Sequence, residues 1–138
     1  MTKEELKEKL KGAMYAQRTL EGELDKLQEL RNIAQKITPT YSLAPGGVSG
    51  GQRIENAVIK IADLENSIRE DIEKLVSAIA EVRQLIACIE DPLLRAVLYR
   101  RYLCYQKWEQ IAADLNYSWR RAHQLHNKAL NVILIKNK

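Results

Sequence analysis

Residues 98–133 read LYRRYLCYQKWEQIAADLNYSWRRAHQLHNKALNVI, and two helical periods meet inside them. Over 107–115, Trp108, Ile111, Ala112 and Leu115 fall on one face of a short helix. Asn116-Tyr117 then breaks the pattern, and Ser118 is a natural N-cap for a helix over 118–134. At 100° per residue, Ala122, Leu125, Ala129, Val132 and Ile133 gather as a core face of that last helix. Arg120, His123, Gln124, Asn127 and Asn131 gather on the opposite face, with Arg121 and Lys128 at one edge and Trp119 at the other. His126 reads as a flank residue, Trp108 as core and Trp119 as exposed.

Upstream of this stretch, Asp91-Pro92 marks a helix start, because Asp caps well and Pro is favoured at the first helical position. The helix it opens runs to about Leu103 and offers Leu94, Val97, Leu98 and Tyr102 as its inner face. At the other end of the chain, Thr2 with Glu5 three residues on forms a capping box. Leu6, Leu10, Ala13, Gln17, Leu20, Leu24 and Leu27 follow at the alternating spacing of a coiled-coil seam. The pattern fades at Ile37-Thr38-Pro39, and TPTYSLAPGGVSGG (38–51) has the composition of a loop. A second long helix is expected from about Gln52 to Glu90. Ile68, Ile72, Leu75, Ile79, Val82, Ile86 and Ile89 form its seam, extended backwards by Ile54, Val58, Ile61 and Leu64 with one register shift. Two helices of similar length predict an antiparallel hairpin over 1–90, whose seam closes within one chain or against a second copy. The fold expected is therefore all-α: a long two-helix coiled-coil hairpin, then a three-helix unit over 91–138.

Composition agrees, with no Phe, six Gly and three Pro among abundant helix formers. Charge is divided unevenly. Residues 1–90 carry 13 Lys and Arg against 15 Asp and Glu, a balance of −2; residues 91–138 carry 9 against 3, a balance of +6. A short basic helical segment is the footprint expected of a nucleic-acid binder. Cys88 and Cys104 lie within apolar helical patterns rather than a disulfide framework, which suggests a reducing compartment. The start, MTKEELKEKLKG, has no apolar core of a signal peptide, and no apolar run approaches the roughly 18 residues a membrane span needs. A cytoplasmic protein without a membrane partner is expected.

A short helix, a tight turn and a second helix with an acid-free polar face is the helix-turn-helix layout, whose second helix enters the major groove of double-stranded DNA. Arg can pair with guanine in two hydrogen bonds, and Gln or Asn with adenine, while flanking cations neutralise phosphates. LNYSWRRAHQLHNKAL (115–130) resembles the recognition helix of the fourth conserved region of bacterial sigma factors: a Ser after the turn, an Arg-rich run, Gln, then Lys-Ala-Leu. Trp108-Glu109-Gln110-Ile111-Ala112 is similar to the first helix of that motif, and the long hairpin resembles prophage-encoded regulators with a sigma-like end. The resemblance implies a transcriptional regulator that binds promoter DNA and contacts RNA polymerase. It implies base reading by Trp119, Arg120, His123 and Gln124, and backbone contacts by Ser118, Arg121 and Lys128; Asn127 shares their face. Lys107 stands where that family usually has a Thr or Ser cap, Asn116 where it commonly has Gly, and Arg120 where primary sigma factors carry Glu.

Other classes have less to rest on. Cys88, Cys104, His123 and His126 lack the paired spacing of a zinc site. Gly46-Gly47 and Gly50-Gly51 lack the Lys-Ser/Thr of a phosphate loop, and neither an inward carboxylate pair nor a Ser/His/Asp order is legible. No enzyme and no cofactor is expected. The rival readings are a phage DNA-packaging small subunit and a coiled-coil adaptor whose tail binds protein.

Overall fold

The computed structural model describes residues 1–43 and 48–137, with side chains for 1–36 and 52–137. Five helices follow in order: α1 (Lys3–Leu43), α2 (Val48–Ala87), α3 (Pro92–Tyr102), α4 (Trp108–Leu115) and α5 (Trp119–Lys136). The described residues contain no strand, and the all-α class with its long N-terminal helix pair stands.

The local signals act as their chemistry requires. Thr2 and Glu5 cap each other reciprocally at 3.2 and 3.3 Å, which closes two otherwise unpaired N–H groups at the start of α1. Asp91, in an extended conformation, accepts from the Leu93 N–H at 2.9 Å, with Pro92 in the first turn. Because a residue before Pro is pushed out of the helical region, α2 cannot run through Asp91, and it also falls short of the expected Glu90. It ends at Ala87, and Ile89 closes a tight turn by donating to the Ile86 carbonyl while its side chain goes into the core.

Two expectations for the long helices need correction. Helix replaces the expected loop over 38–43 and 48–51, and only 44–47 lie outside the described residues. The helix continues here although a proline inside a helix, as at position 39, costs about 3 kcal/mol and each of Gly50 and Gly51 about 1 kcal/mol relative to Ala. The seam also drifts. Leu24 is 46% exposed, Ile72 44% and Val58 57%, while Ala57 is buried. An apolar pattern repeating every 3.5 residues rotates about 20° per heptad around a helix of 3.6, so a strict stripe leaves the contact line.

The chain divides into two compact units, neither of which coincides with the 90/91 boundary. The middle unit, Arg18–Lys74, pairs α1 and α2 in opposite directions: Ser67 donates to Glu23 at 3.5 Å and Arg31 meets Glu65 at 3.1 Å. Between its two helices lies a half-buried carboxyl pair, Glu23 and Asp71, that sequence reading missed. Hydrogen bonding with Asp71 pushes the Glu23 carboxyl above its usual range, helped by burial and opposed by Ser67 and Lys74. Glu23 Oε2 is buried and meets no donor among the described residues, a need that a proton shared with Asp71 would meet.

The composite unit joins Met1–Gln17 to Leu75–Lys138. Its core takes Leu6, Leu10 and Ala13 from α1, Val82 and Ile86 from α2, and Ile89 from the turn that follows. The remaining core residues are Leu94, Val97, Leu98 and Tyr102 of α3 and Leu125, Ala129, Leu130 and Ile133 of α5. Each large apolar side chain taken fully out of water here contributes about 1.5–3 kcal/mol. Ile111 and Ala112 of α4 close on Ala122 of α5 in a smaller cluster, flanked by Trp108 and Leu115. This composite core fixes the rotation of α5.

Candidate nucleic-acid interface

The turn between α4 and α5 is built from backbone and one asparagine. Asn116 sits in the left-handed region at φ 59° and ψ 39°, which Asn tolerates better than most residues. The Asn116 N–H donates to the Ala113 carbonyl at 3.2 Å and the Tyr117 N–H to the Ala112 carbonyl at 2.9 Å, the two bonds of a Schellman motif. Ser118 then turns extended, and its hydroxyl accepts from the Arg121 N–H at 3.0 Å. Lys107 caps α4 without any side-chain bond. Across the motif, Arg100 of α3 holds Asp114 of α4 at 2.9 Å, and Gln110 donates to the same carboxylate at 3.2 Å.

Rotation of α5 follows from what it buries: Ala122, Leu125, His126, Ala129, Leu130 and Ile133. Opposite them, Arg120, Gln124, Asn127 and Asn131 are exposed, as are Ser118, Arg121 and Lys128 at the edges. Trp119 is 55% exposed. α5 itself contains no Asp or Glu, and among the described residues no carboxylate lies within ion-pair distance of Arg120, Arg121 or Lys128. These three charges are available to an outside anion.

Both histidines depart from expectation. His126 is not a flank residue: it is 5% exposed and its Nε2 shares a 2.6 Å hydrogen bond with the Tyr102 hydroxyl. Burial, reinforced by the charges of Lys7, Arg101 and Lys3 and by His123, lowers its pKa to about 3, so the ring is neutral in the fold. Burial likewise lifts the Tyr102 phenol to about 12. His123, expected to face a groove freely, is half-buried and stacked between Trp108 at 4.1 Å and Trp119 at 3.9 Å between ring centres. Burial and the nearby Arg101 push its pKa down, with Glu109 pulling the other way. The Trp119–His123 half of this stack follows from spacing one helical turn apart; Trp108 joins it only through the fold. Arg101 completes the group, its guanidinium 4.8 Å from the Trp108 ring centre and donating to the Gln106 carbonyl at 2.9 Å.

A polar cavity of about 340 Å³ opens beside this stack, lined by Lys7 and Lys11 of α1 together with Arg101, His123 and Asn127. Nothing in the spacing of the sequence pointed to the two lysines. Another groove of the unit, about 400 Å³, is apolar and is lined by Arg83, Ile86, Pro92, Arg95 and Tyr99 among others, with no residue of α4 or α5. Among the described residues no three of His, Cys, Asp and Glu gather as a metal site, and Cys88 and Cys104 are free thiols. No helix of the described residues is long and apolar enough to cross a membrane.

No family model, curated protein or solved structure matches this chain.

Proposed function

We propose that this chain is a sequence-specific DNA-binding regulator that places α5 in the major groove of double-stranded DNA. One observation carries the reading. Arg120, Gln124 and Asn127 stand exposed on an acid-free helix face whose rotation is fixed by a buried core and whose start is fixed by a Schellman turn and a Ser cap. Arg120 has the donors for guanine, Gln124 and Asn127 the paired donor and acceptor for adenine, and Arg121 and Lys128 lie toward the edges where phosphates run. The resemblance of 115–130 to sigma-type recognition helices supports the same docking, and with it promoter binding in a phage-derived regulator that touches RNA polymerase. The balance of +6 over residues 91–138 supplies the long-range attraction.

Selection of bound duplexes from random DNA, using the full chain, is the direct test and should return a short enriched site. On that site, Arg120→Ala or Gln124→Ala should relax preference at particular base pairs, each losing about 1–3 kcal/mol of discrimination. Lys128→Ala should weaken all duplexes alike and lower the salt slope by about one unit. If none of the three changes alters binding, α5 does not enter the groove.

A second reading, a DNA-packaging subunit that assembles through its long helices, is favoured by exposed Val58, Ile59 and Ile72 in the middle unit. Mass measurement in solution separates the two: a large ring supports packaging, a monomer or dimer supports the regulator.

A further inference from the structure

We propose that the cavity walled by Lys7, Lys11, Arg101, His123 and Asn127 is a seat for a phosphate group. Three of these five residues carry full positive charge, and no carboxylate is among the residues that line the cavity. Lys7 and Lys11 are one turn apart on α1 and so present their ammonium groups on the same side. Their own ion pairs, to Glu4 at 3.8 Å and Glu8 at 3.9 Å, are long and end on exposed carboxylates, and pairs of that kind hold a lysine only weakly. Arg101 is pinned by Gln106 and Trp108, so its charge is pre-positioned. The ring of His123 forms part of the wall, its Nε2 buried and without a hydrogen-bond partner among the described residues, and Asn127 lines the cavity with an amide. A wall of three cations and an amide, without a carboxylate, is the donor set that suits an oxyanion. The depressed proton affinity of His126, to which Lys7, Arg101 and Lys3 contribute after burial, reports the same positive field from the cavity floor.

The chemistry requires a phosphate oxygen cluster and is met equally by a backbone phosphate of DNA lying against α5 or by the phosphate of a free small molecule. The first source rests on the DNA-binding reading; the second does not. In both cases α1 acquires a role that its apolar seam does not suggest, since Lys7 and Lys11 would complete a site begun by α3 and α5.

The test uses the full chain and the double variant Lys7→Gln/Lys11→Gln, with unchanged melting as the check that it folds. Inorganic phosphate is titrated while the Trp108 indole N–H resonance is followed, with chloride at matched ionic strength as the control. Expected is a saturating, phosphate-specific shift in the natural chain and an affinity about tenfold weaker or lower in the variant, as for the loss of a charge-assisted hydrogen bond. The variant's DNA affinity is then measured against salt. A phosphate shift lost together with a salt slope lowered by about one unit assigns the seat to a DNA phosphate. A phosphate shift lost with the DNA slope unchanged assigns it to a free phosphate compound. An absent shift, or one that chloride reproduces, overturns the seat even if the slope falls, since the lysines then act only as a diffuse field. Should the natural chain not bind DNA at all, the DNA-binding reading fails while the phosphate titration still decides the cavity.

Discussion

His126 makes the composite unit acid-sensitive by an amount that can be worked from its surroundings. In the unfolded chain the imidazole titrates near the ordinary 6.5; in the fold, buried against Tyr102 and faced by Lys7 and Arg101, it titrates at about 3. Between these values the unfolded state binds a proton that the folded state refuses, so stability falls as pH falls. Above the upper value both states are neutral and the contribution is complete. Inside the window the loss is about 1.4 kcal/mol per pH unit, which comes to about 1.4 kcal/mol at pH 5.5 and about 2.7 kcal/mol at pH 4.5. Urea unfolding at pH 7.5, 5.5 and 4.5 measures this directly. His126→Gln cannot take up the proton, and should therefore lose the steep part of the acid response while the background from carboxylates remains in both proteins. The variant will be less stable at pH 7.5, because Gln does not reproduce the packed ring; only the difference in pH slope counts. If natural chain and variant lose stability in parallel from pH 7.5 to 4.5, His126 is not held neutral by burial, and its placement in the core is wrong.

Leu75→Ala, at a position 8% exposed, should cost about 2–5 kcal/mol, whereas Ile72→Ala, 44% exposed one turn earlier, should cost less than about 1 kcal/mol. Equal losses in thermal melts would mean that both lie in one seam after all. Asn116→Gly should leave the melting temperature nearly unchanged, and Asn116→Val should destabilise by about 1–2 kcal/mol, because a β-branched residue resists the left-handed conformation. Glu23 binds its proton more tightly in the fold than in the unfolded chain, so its contribution is present below the ordinary 4.5 and lost as pH rises. Glu23→Gln should therefore raise the melting temperature at pH 7 and lose that advantage near pH 4; a gain that is constant across this range would exclude the shared proton.

What could be read in advance was what local chemistry decides. The capping of α1 by Thr2, of α3 by Asp91 and of α5 by Ser118 needs only neighbouring backbone, and each forms as the residue types require. The exposed face of α5 follows from 3.6 residues per turn and a handful of apolar positions. Partners from distant elements were not legible. His126 is polar and lies at the border of the apolar arc; it turns inward because α3 brings a phenol to meet it. Leu24 and Ile72 obey the heptad on paper, yet rotate off the contact line, and Glu23 and Asp71 meet nearby. Pro39 reads as a stop, yet α1 runs on to Leu43.

Because Leu6, Leu10 and Ala13 are packed into the same core as Leu130 and Ile133, the composite unit has a timetable. The first of these residues leaves the ribosome more than a hundred residues before the last, so its apolar face must wait while those residues are made. Contacts so far apart in sequence are slow to close and leave hydrophobic surface open in the interval. The middle unit, whose α1 and α2 segments are both complete by Lys74, can pair first and shorten the search by holding the two strands of the problem together. Any recognition surface on α5 would then come into being only once α5 itself is made, all at once, when it finds residues made more than a hundred positions earlier.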